Sequence, residues 1–156
     1  MHTDHLSDSD KMMLESLYWW DIPTLFRTPL DRDPANADIA LVGVPHSTGN
    51  GTTERDQHLG PRALRQVSAM SKRVHVEFNI DPWATHRIHD LGDVPLPEGN
   101  NNEACIERIT DFYRQVDAAG ARPVSVGGDH AVTGGIIQGI SGSHSKLTHG
   151  EKAVFL

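Results

Sequence analysis

Between Asp38 and Pro45 no residue carries a polar side chain, the run being Ile39-Ala40-Leu41-Val42-Gly43-Val44. A strand without polar alternation needs apolar cover on both faces, the situation of a strand inside a parallel sheet. Pro45 ends it, because a proline has no N–H to continue a ladder. Further strands are predicted over residues 87–92 and 122–126, the latter as a buried core strand, and a last one over 152–156. Helical patterns lie between them. Residues 61–68 place Pro61 in a first turn, with Leu64, Val67 and Ser68 as a narrow buried stripe. Residues 103–119 repeat Ile106, Ile109, Phe112, Tyr113 and Val116 at spacings of three and four, with Asn102 as cap and Gly120 as stop. Residues 131–140 form a shorter apolar helix. The alternation predicts an α/β fold, a doubly wound parallel sheet with helices on both faces and right-handed crossovers. No internal repeat is visible, and residues 73–80 carry only a weak pattern.

The amino-terminal part reads differently. Residues 1–10 are polar, and Ser9-Asp10 is placed to cap a short helix running to Trp20. Met13, Leu17 and Trp20 share one face of it, an apolar edge expected to pack on the domain or on a neighbouring subunit. Two prolines in residues 22–29 make that segment an extended arm. The division is therefore an extension over residues 1–21 and a main unit over residues 22–156.

A formal charge of −7, with no block of like charges, argues against nucleic acid or an anionic membrane as partner. A single cysteine, Cys105, excludes an intrachain disulfide and fits a reducing compartment. No apolar run approaches the roughly 20 residues that span a bilayer, and the first residues lack the basic flank and apolar core of a secretory signal. A cytoplasmic protein is expected.

In an open parallel sheet, loops leaving the carboxyl ends of the strands converge on one crevice. His130, in Val126-Gly127-Gly128-Asp129-His130, leaves a strand at that edge. Gly127 and Gly128 permit a tight turn, while Asp129 is placed to orient the backbone or to hold an imidazole tautomer. The tetrapeptide alone leaves His130 open between a hydrogen-bonded structural histidine and a ligand or acid–base group. Residues 46–60, polar and glycine-rich, read as a functional loop. Elsewhere, His86 and His89 alternate across a strand, which disfavours a shared metal and leaves both exposed. His144 and His149 lie in a polar surface segment. Arg62 and Arg65 are expected to tie the helix start to its neighbours by salt bridges, with a subunit contact as the lesser option. Asp90 and Asp93 flank a Leu-Gly turn as scaffold residues. The Gly127-Gly128 turn matches neither the dinucleotide nor the P-loop pattern.

Six motifs occur in the order seen in the ureohydrolases: Ile22-Pro23-Thr24-Leu25-Phe26-Arg27, Val42-Gly43-Val44-Pro45, Gly51-Thr52-Thr53, Gly60-Pro61-Arg62-Ala63-Leu64-Arg65, Asp90-Leu91-Gly92-Asp93 and Ser125-Val126-Gly127-Gly128-Asp129-His130. From residue 22 to residue 156 the chain resembles the arginase, agmatinase, guanidinobutyrase and guanidinopropionase superfamily. That resemblance implies an α/β/α hydrolase of linear amidines that holds two divalent metal ions, usually manganese, and releases urea from a small cationic guanidino substrate. A homo-oligomer, trimer or hexamer, is implied for the full-length protein. It also implies that His130 is a metal ligand, with Gly127, Gly128 and Asp129 as the turn behind it. The other ligands of the family lie in Asp-x-His-x-Asp and Ser-x-Asp-x-Asp motifs, neither of which occurs in this sequence. The chain is accordingly expected to be the amino-terminal part of an incomplete catalytic domain, inactive alone and without an assigned catalytic residue, since one imidazole cannot hold two metals.

The loop departs from the commoner agmatinase pattern at His46, Asn50, Asp56 and His58, which are expected at the rim of the substrate pocket. Its form resembles ureohydrolases that act on guanidine or small alkylated derivatives such as metformin, a branch associated with nickel. The alternative is that His46, Asp56 and His58 fix the loop by local hydrogen bonds. For the whole chain the rival to a hydrolase fragment is a non-catalytic truncated paralogue, a partner subunit of a full-length ureohydrolase.

Overall fold

A computed structural model describes residues 3–50, 56–71 and 73–141. The strand expected over residues 152–156, Gly51-Thr52-Thr53, and His144 and His149 lie outside the described residues. Among the described residues three parallel strands form the sheet, β1 (Ile39–Val44), β2 (Ile88–Asp93) and β3 (Arg122–Gly127), in the order β2-β1-β3. The apolar run is the central strand, and its two faces feed two cores. Ala40, Val42 and Val44 pack with Leu91 and with Ile109, Tyr113, Val116, Val132, Ile136 and Ile140. The last six come from helices α3 (Asn102–Ala119) and α4 (Val132–Ile140). Leu41 instead joins Leu25, Ile88 and half-buried Leu64 and Trp83, on the side of helix α2 (Gly60–Ser68). Helices cover both faces of a parallel sheet, as the alternation predicts. Among the described residues no helix is long and apolar enough to cross a membrane.

Several local expectations are corrected. β3 is not buried: Val124 is 52% exposed, because among the described residues β3 pairs with β1 alone and its other edge has no strand. Val67 is exposed, since the buried face of α2 runs through Pro61 and Ser68 and turns Val67 outward. Asn101, not Asn102, caps α3, its Oδ1 accepting from the Ala104 N–H at 3.2 Å. Gly120 ends that helix at φ 81°. The first helix, α1 (Asp8–Ser16), is capped by Ser7 rather than by Ser9-Asp10, with Asp10 completing a capping box. It stops before Trp20, Leu17 being extended, and Met13 and Trp20 stay exposed instead of packing on the domain.

The arm is not simply extended either. Residues Leu25–Arg27 make a 3-10 turn with Phe26 and Arg27 at positive φ. Three neighbours hold it through four hydrogen bonds. The Leu25 N–H donates to Asp90, the Phe26 N–H to Ser68, and the Arg73 guanidinium to the carbonyls of Phe26 and Arg27. Thr28 closes it locally by donating to the Leu25 carbonyl.

Asp90 and Asp93 lie within β2 and not in a turn. The register against β1 slips between Leu41 and Gly43, and Gly92 takes φ 83° there as the extra residue. The slip brings both carboxylates to Arg65, which donates to Asp90 through Nε and Nη2 and to Asp93 through Nη1. Arg65 thus makes the expected salt bridges, while Arg62 is exposed. His86 is exposed, whereas His89 is half-buried with Nδ1 3.6 Å from Asp31.

Helices α3 and α4 touch through glycine. A Cβ at Gly139 would stand 2.6 Å from the Tyr113 Cβ and 2.8 Å from the Thr110 carbonyl oxygen. Gly139→Ala gains up to about 1 kcal/mol of helix propensity, yet overpacking of roughly 1–3 kcal/mol outweighs it because backbone atoms cannot swing aside. Gly134, with nothing within 4 Å of its missing Cβ, is the control. Thermal unfolding should show Gly139→Ala melting lower than the parent and Gly134→Ala slightly higher. Equal melting of the two variants would refute close helix packing at Gly139.

Candidate functional site

At the carboxyl edge of the sheet, β1 and β3 run in register to the pair Val44 and Gly127. Two residues beyond each lie His46 and Asp129, and they meet. The turn between β3 and α4 is tight. Gly128 has φ 63°, and a Cβ there would stand 2.4 Å from the Val44 carbonyl oxygen and 2.8 Å from that of His46. Only glycine satisfies both conditions. The Gly127-Gly128 peptide is cis.

Asp129 is 5% exposed, and its carboxylate collects three donors. Oδ1 accepts from His46 Nδ1 at 3.0 Å and from the Ala131 N–H at 3.1 Å, and Oδ2 accepts from the Gly49 N–H at 2.8 Å. A carboxylate only accepts, so Nδ1 of His46 carries a proton and donates it. Nε2 lies 3.0 Å from the Thr48 hydroxyl. The Asp129 N–H donates to the His46 carbonyl at 2.9 Å. A buried carboxylate requires such satisfaction, because each missing partner costs its desolvation.

His130 follows directly and is exposed. It is presented at the sheet edge on a turn whose neighbours on both sides are tied down. Asp129 orients the backbone as the sequence suggests, but the imidazole it holds is that of His46, not that of His130.

The loop residues fall into different places. His46, expected at the rim, is 2% exposed and lies beneath it, since it continues the central strand inward. His58 is exposed, with Nδ1 3.2 Å from the Ser47 hydroxyl. Asp56 is exposed at φ 55°, its carbonyl accepting from the Leu59 N–H. Asn50 ends the 3-10 turn Thr48–Asn50. Thr48 and Gly49 carry no local pattern that marks them as partners in the Asp129 network. The available signal was a histidine placed directly after the proline that ends the central strand.

Among the described residues no group of three or more His, Cys, Asp or Glu side chains could hold a metal ion. Asp129 spends both oxygens on hydrogen-bond donors, which leaves His130 as the exposed nitrogen donor on this turn. These residues do not by themselves make a binuclear centre.

The profile of the arginase family matches residues 37–154. Guanidinopropionase of Pseudomonas aeruginosa is 43% identical over 112 residues, covering 72% of this chain and 35% of the relative. Human mitochondrial guanidino acid hydrolase is 33% identical over 124 residues, covering 80% and 35%. Among solved structures, proclavaminate amidino hydrolase of Streptomyces clavuligerus superposes with a TM-score of 0.72 at 26% identity, over 80% of this chain and 41% of that one. A formiminoglutamase variant of Trypanosoma cruzi, solved with Mn2+, gives 0.58 at 25% identity, over 68% and 35%. The chain thus spans about a third of the length of the curated relatives it matches.

Proposed function

This chain belongs to the arginase family, and from that premise we propose that the complete protein hydrolyses a guanidino compound and releases urea. The observation that carries the reading is His130, an exposed imidazole held at the ligand-binding edge of the sheet by the buried Asp129 and His46 pair. Relatives named guanidinopropionase, guanidino acid hydrolase and agmatinase support the reaction class. A guanidinium carbon is a poor electrophile, and divalent metal, manganese first and nickel as the alternative, would supply the charge that such hydrolysis needs. In this proposal His130 is one ligand, and the rest come from outside the described residues. The loop carrying His46, Asn50, Asp56 and His58 departs from the agmatinase pattern, which supports a small substrate such as guanidine or an alkylated derivative over agmatine. A cytoplasmic homo-oligomer, trimer or hexamer, is part of the same proposal.

The test is urea release by the complete protein, loaded with manganese or nickel, from guanidine, dimethylbiguanide, guanidinopropionate, guanidinobutyrate and agmatine. Urea from at least one of the five supports the reaction class, and guanidine or dimethylbiguanide turned over better than agmatine is the expected result for the small substrate. The 156-residue chain alone should release none. Metal-dependent urea release by the isolated chain, or preference for agmatine, would overturn the corresponding part of the proposal. A second reading, a non-catalytic subunit packed against a longer relative, is favoured by the exposed Trp19 and Trp20 and by the exposed Val124 on β3. Absence of urea from all five compounds, together with stable co-purification with such a relative, would select it.

A further inference from the structure

We propose that Asp129 and His46 are positioning residues that make residues 46–49 and the His130 turn one mechanical unit, and that this coupling sets how tightly the site holds its substrate. The kinetic half of this inference rests on the function proposed above. The mechanical half does not.

The geometry places a single carboxylate at the junction of two loops. Asp129 precedes His130 and Ala131 follows it, and the Ala131 N–H is bound to the same Oδ1 that accepts from His46. The Asp129 N–H is bound to the His46 carbonyl. The backbone on either side of His130 is therefore fixed to the residue that leaves the central strand. Oδ2 extends the tie to Gly49, three residues further along the loop. That approach is close: a Cβ at Gly49 would stand 2.3 Å from the Ala131 Cβ. Thr48, 3.0 Å from Nε2, holds the His46 ring in the orientation that points Nδ1 at the carboxylate. Because Asp129 and His46 are 5% and 2% exposed, water cannot easily replace a lost donor, and a half-satisfied buried network is worse than none. The other ties across this loop, Ser47 with His58 and the Gly128 N–H to the Gln57 carbonyl, are longer at 3.2 and 3.3 Å. Loops at this edge are where an α/β sheet binds its ligand, so loosening the tie should act on binding before it acts on chemistry.

The experiment compares His46→Ala and His46→Asn in the complete protein. Asparagine carries an amide nitrogen where His46 has Nδ1, so it retains the donor to Asp129 and loses only the contact to Thr48. In His46→Ala, hydrogen exchange at the Gly49 and Ala131 amides should quicken by about tenfold or more, as expected for losing roughly one hydrogen bond, while β1 and α3 keep their protection. KM should rise about tenfold, with a smaller fall in kcat. His46→Asn should recover most of both changes. Unaltered exchange at those two amides, or an equal rise at every amide, would overturn the mechanical unit, the latter showing that His46 merely supports the fold. A faster local exchange with unchanged KM would overturn the link to binding. If the parent protein releases no urea from any guanidino compound, the proposed function and the kinetic half fall together, and the exchange data still decide the mechanical half. Should His46→Ala fail to fold, the isosteric Asp129→Asn, which sets an NH2 group against a backbone or ring donor, decides by the same readouts.

Discussion

Asp90→Ala is expected to cost about 3–5 kcal/mol of folding stability, the range for removing one partner of a buried ion pair. The Asp90 side chain is 0% exposed and that of Arg65 12%. Four donors converge on the carboxylate: Arg65 Nε and the Leu25 N–H on Oδ2, Arg65 Nη2 and the Gly92 N–H on Oδ1. The substitution strands all four, and with them the arm turn, the β2 bulge and α2. Arg65 would keep only Asp93, which is 41% exposed and so a poorer substitute. Denaturant midpoints report the loss directly.

The pH dependence supplies an independent check. Burial raises the Asp90 carboxyl, but the hydrogen bonds from Arg65 and from the Leu25 and Gly92 N–H groups outweigh it and hold the group below its ordinary 3.8. Because the folded value lies below the unfolded one, the stabilisation is complete above the unfolded value and disappears as pH falls through the folded value. The stability gap between parent and Asp90→Asn should accordingly be constant near neutrality and shrink below about pH 4. A gap that stays constant down to pH 2 would show that the ionised carboxylate is not the source.

His130→Ala in the complete protein should lower turnover by more than about a hundredfold, since even partners of metal ligands cost 10–100-fold in metal affinity or activity. Bound metal, read by elemental analysis after dialysis, should fall with it. Stability should change by less than about 0.5 kcal/mol, because His130 is exposed and its backbone is held by its neighbours. This contrast between lost metal and unchanged melting separates a ligand from a structural histidine. Turnover and metal content both matching the parent would remove His130 from the proposed centre.

Much of the fold follows from short-range pattern. The unbroken apolar run of residues 39–44 could only be a strand covered on both faces, and it is the central one, feeding one core through Ala40, Val42 and Val44 and another through Leu41. The stripe of α3 and its stop at Gly120 are legible for the same reason, a period of 3.6 and a residue tolerant of positive φ. Caps were less legible: Asn101 and Asn102 are chemically alike, and the choice rests on which side chain reaches the Ala104 N–H. β3 looks like a core strand by composition, yet its exposure depends on what lies beside it, which no local period reveals.

By itself the sequence determined the class of fold, the family, and the placing of His130 at the carboxyl edge of the sheet, because strand runs, helix stripes and ordered motifs are local properties of the chain. The tertiary structure alone decided that Asp129 grips His46, and that Arg65 reaches Asp90 and Asp93 across a bulge. Those partners stand 83, 25 and 28 residues apart. They meet only because strand order and register align Val44 with Gly127 and displace Asp93 against Gly43, and register is set by how two faces of a sheet fill with side chains from distant helices.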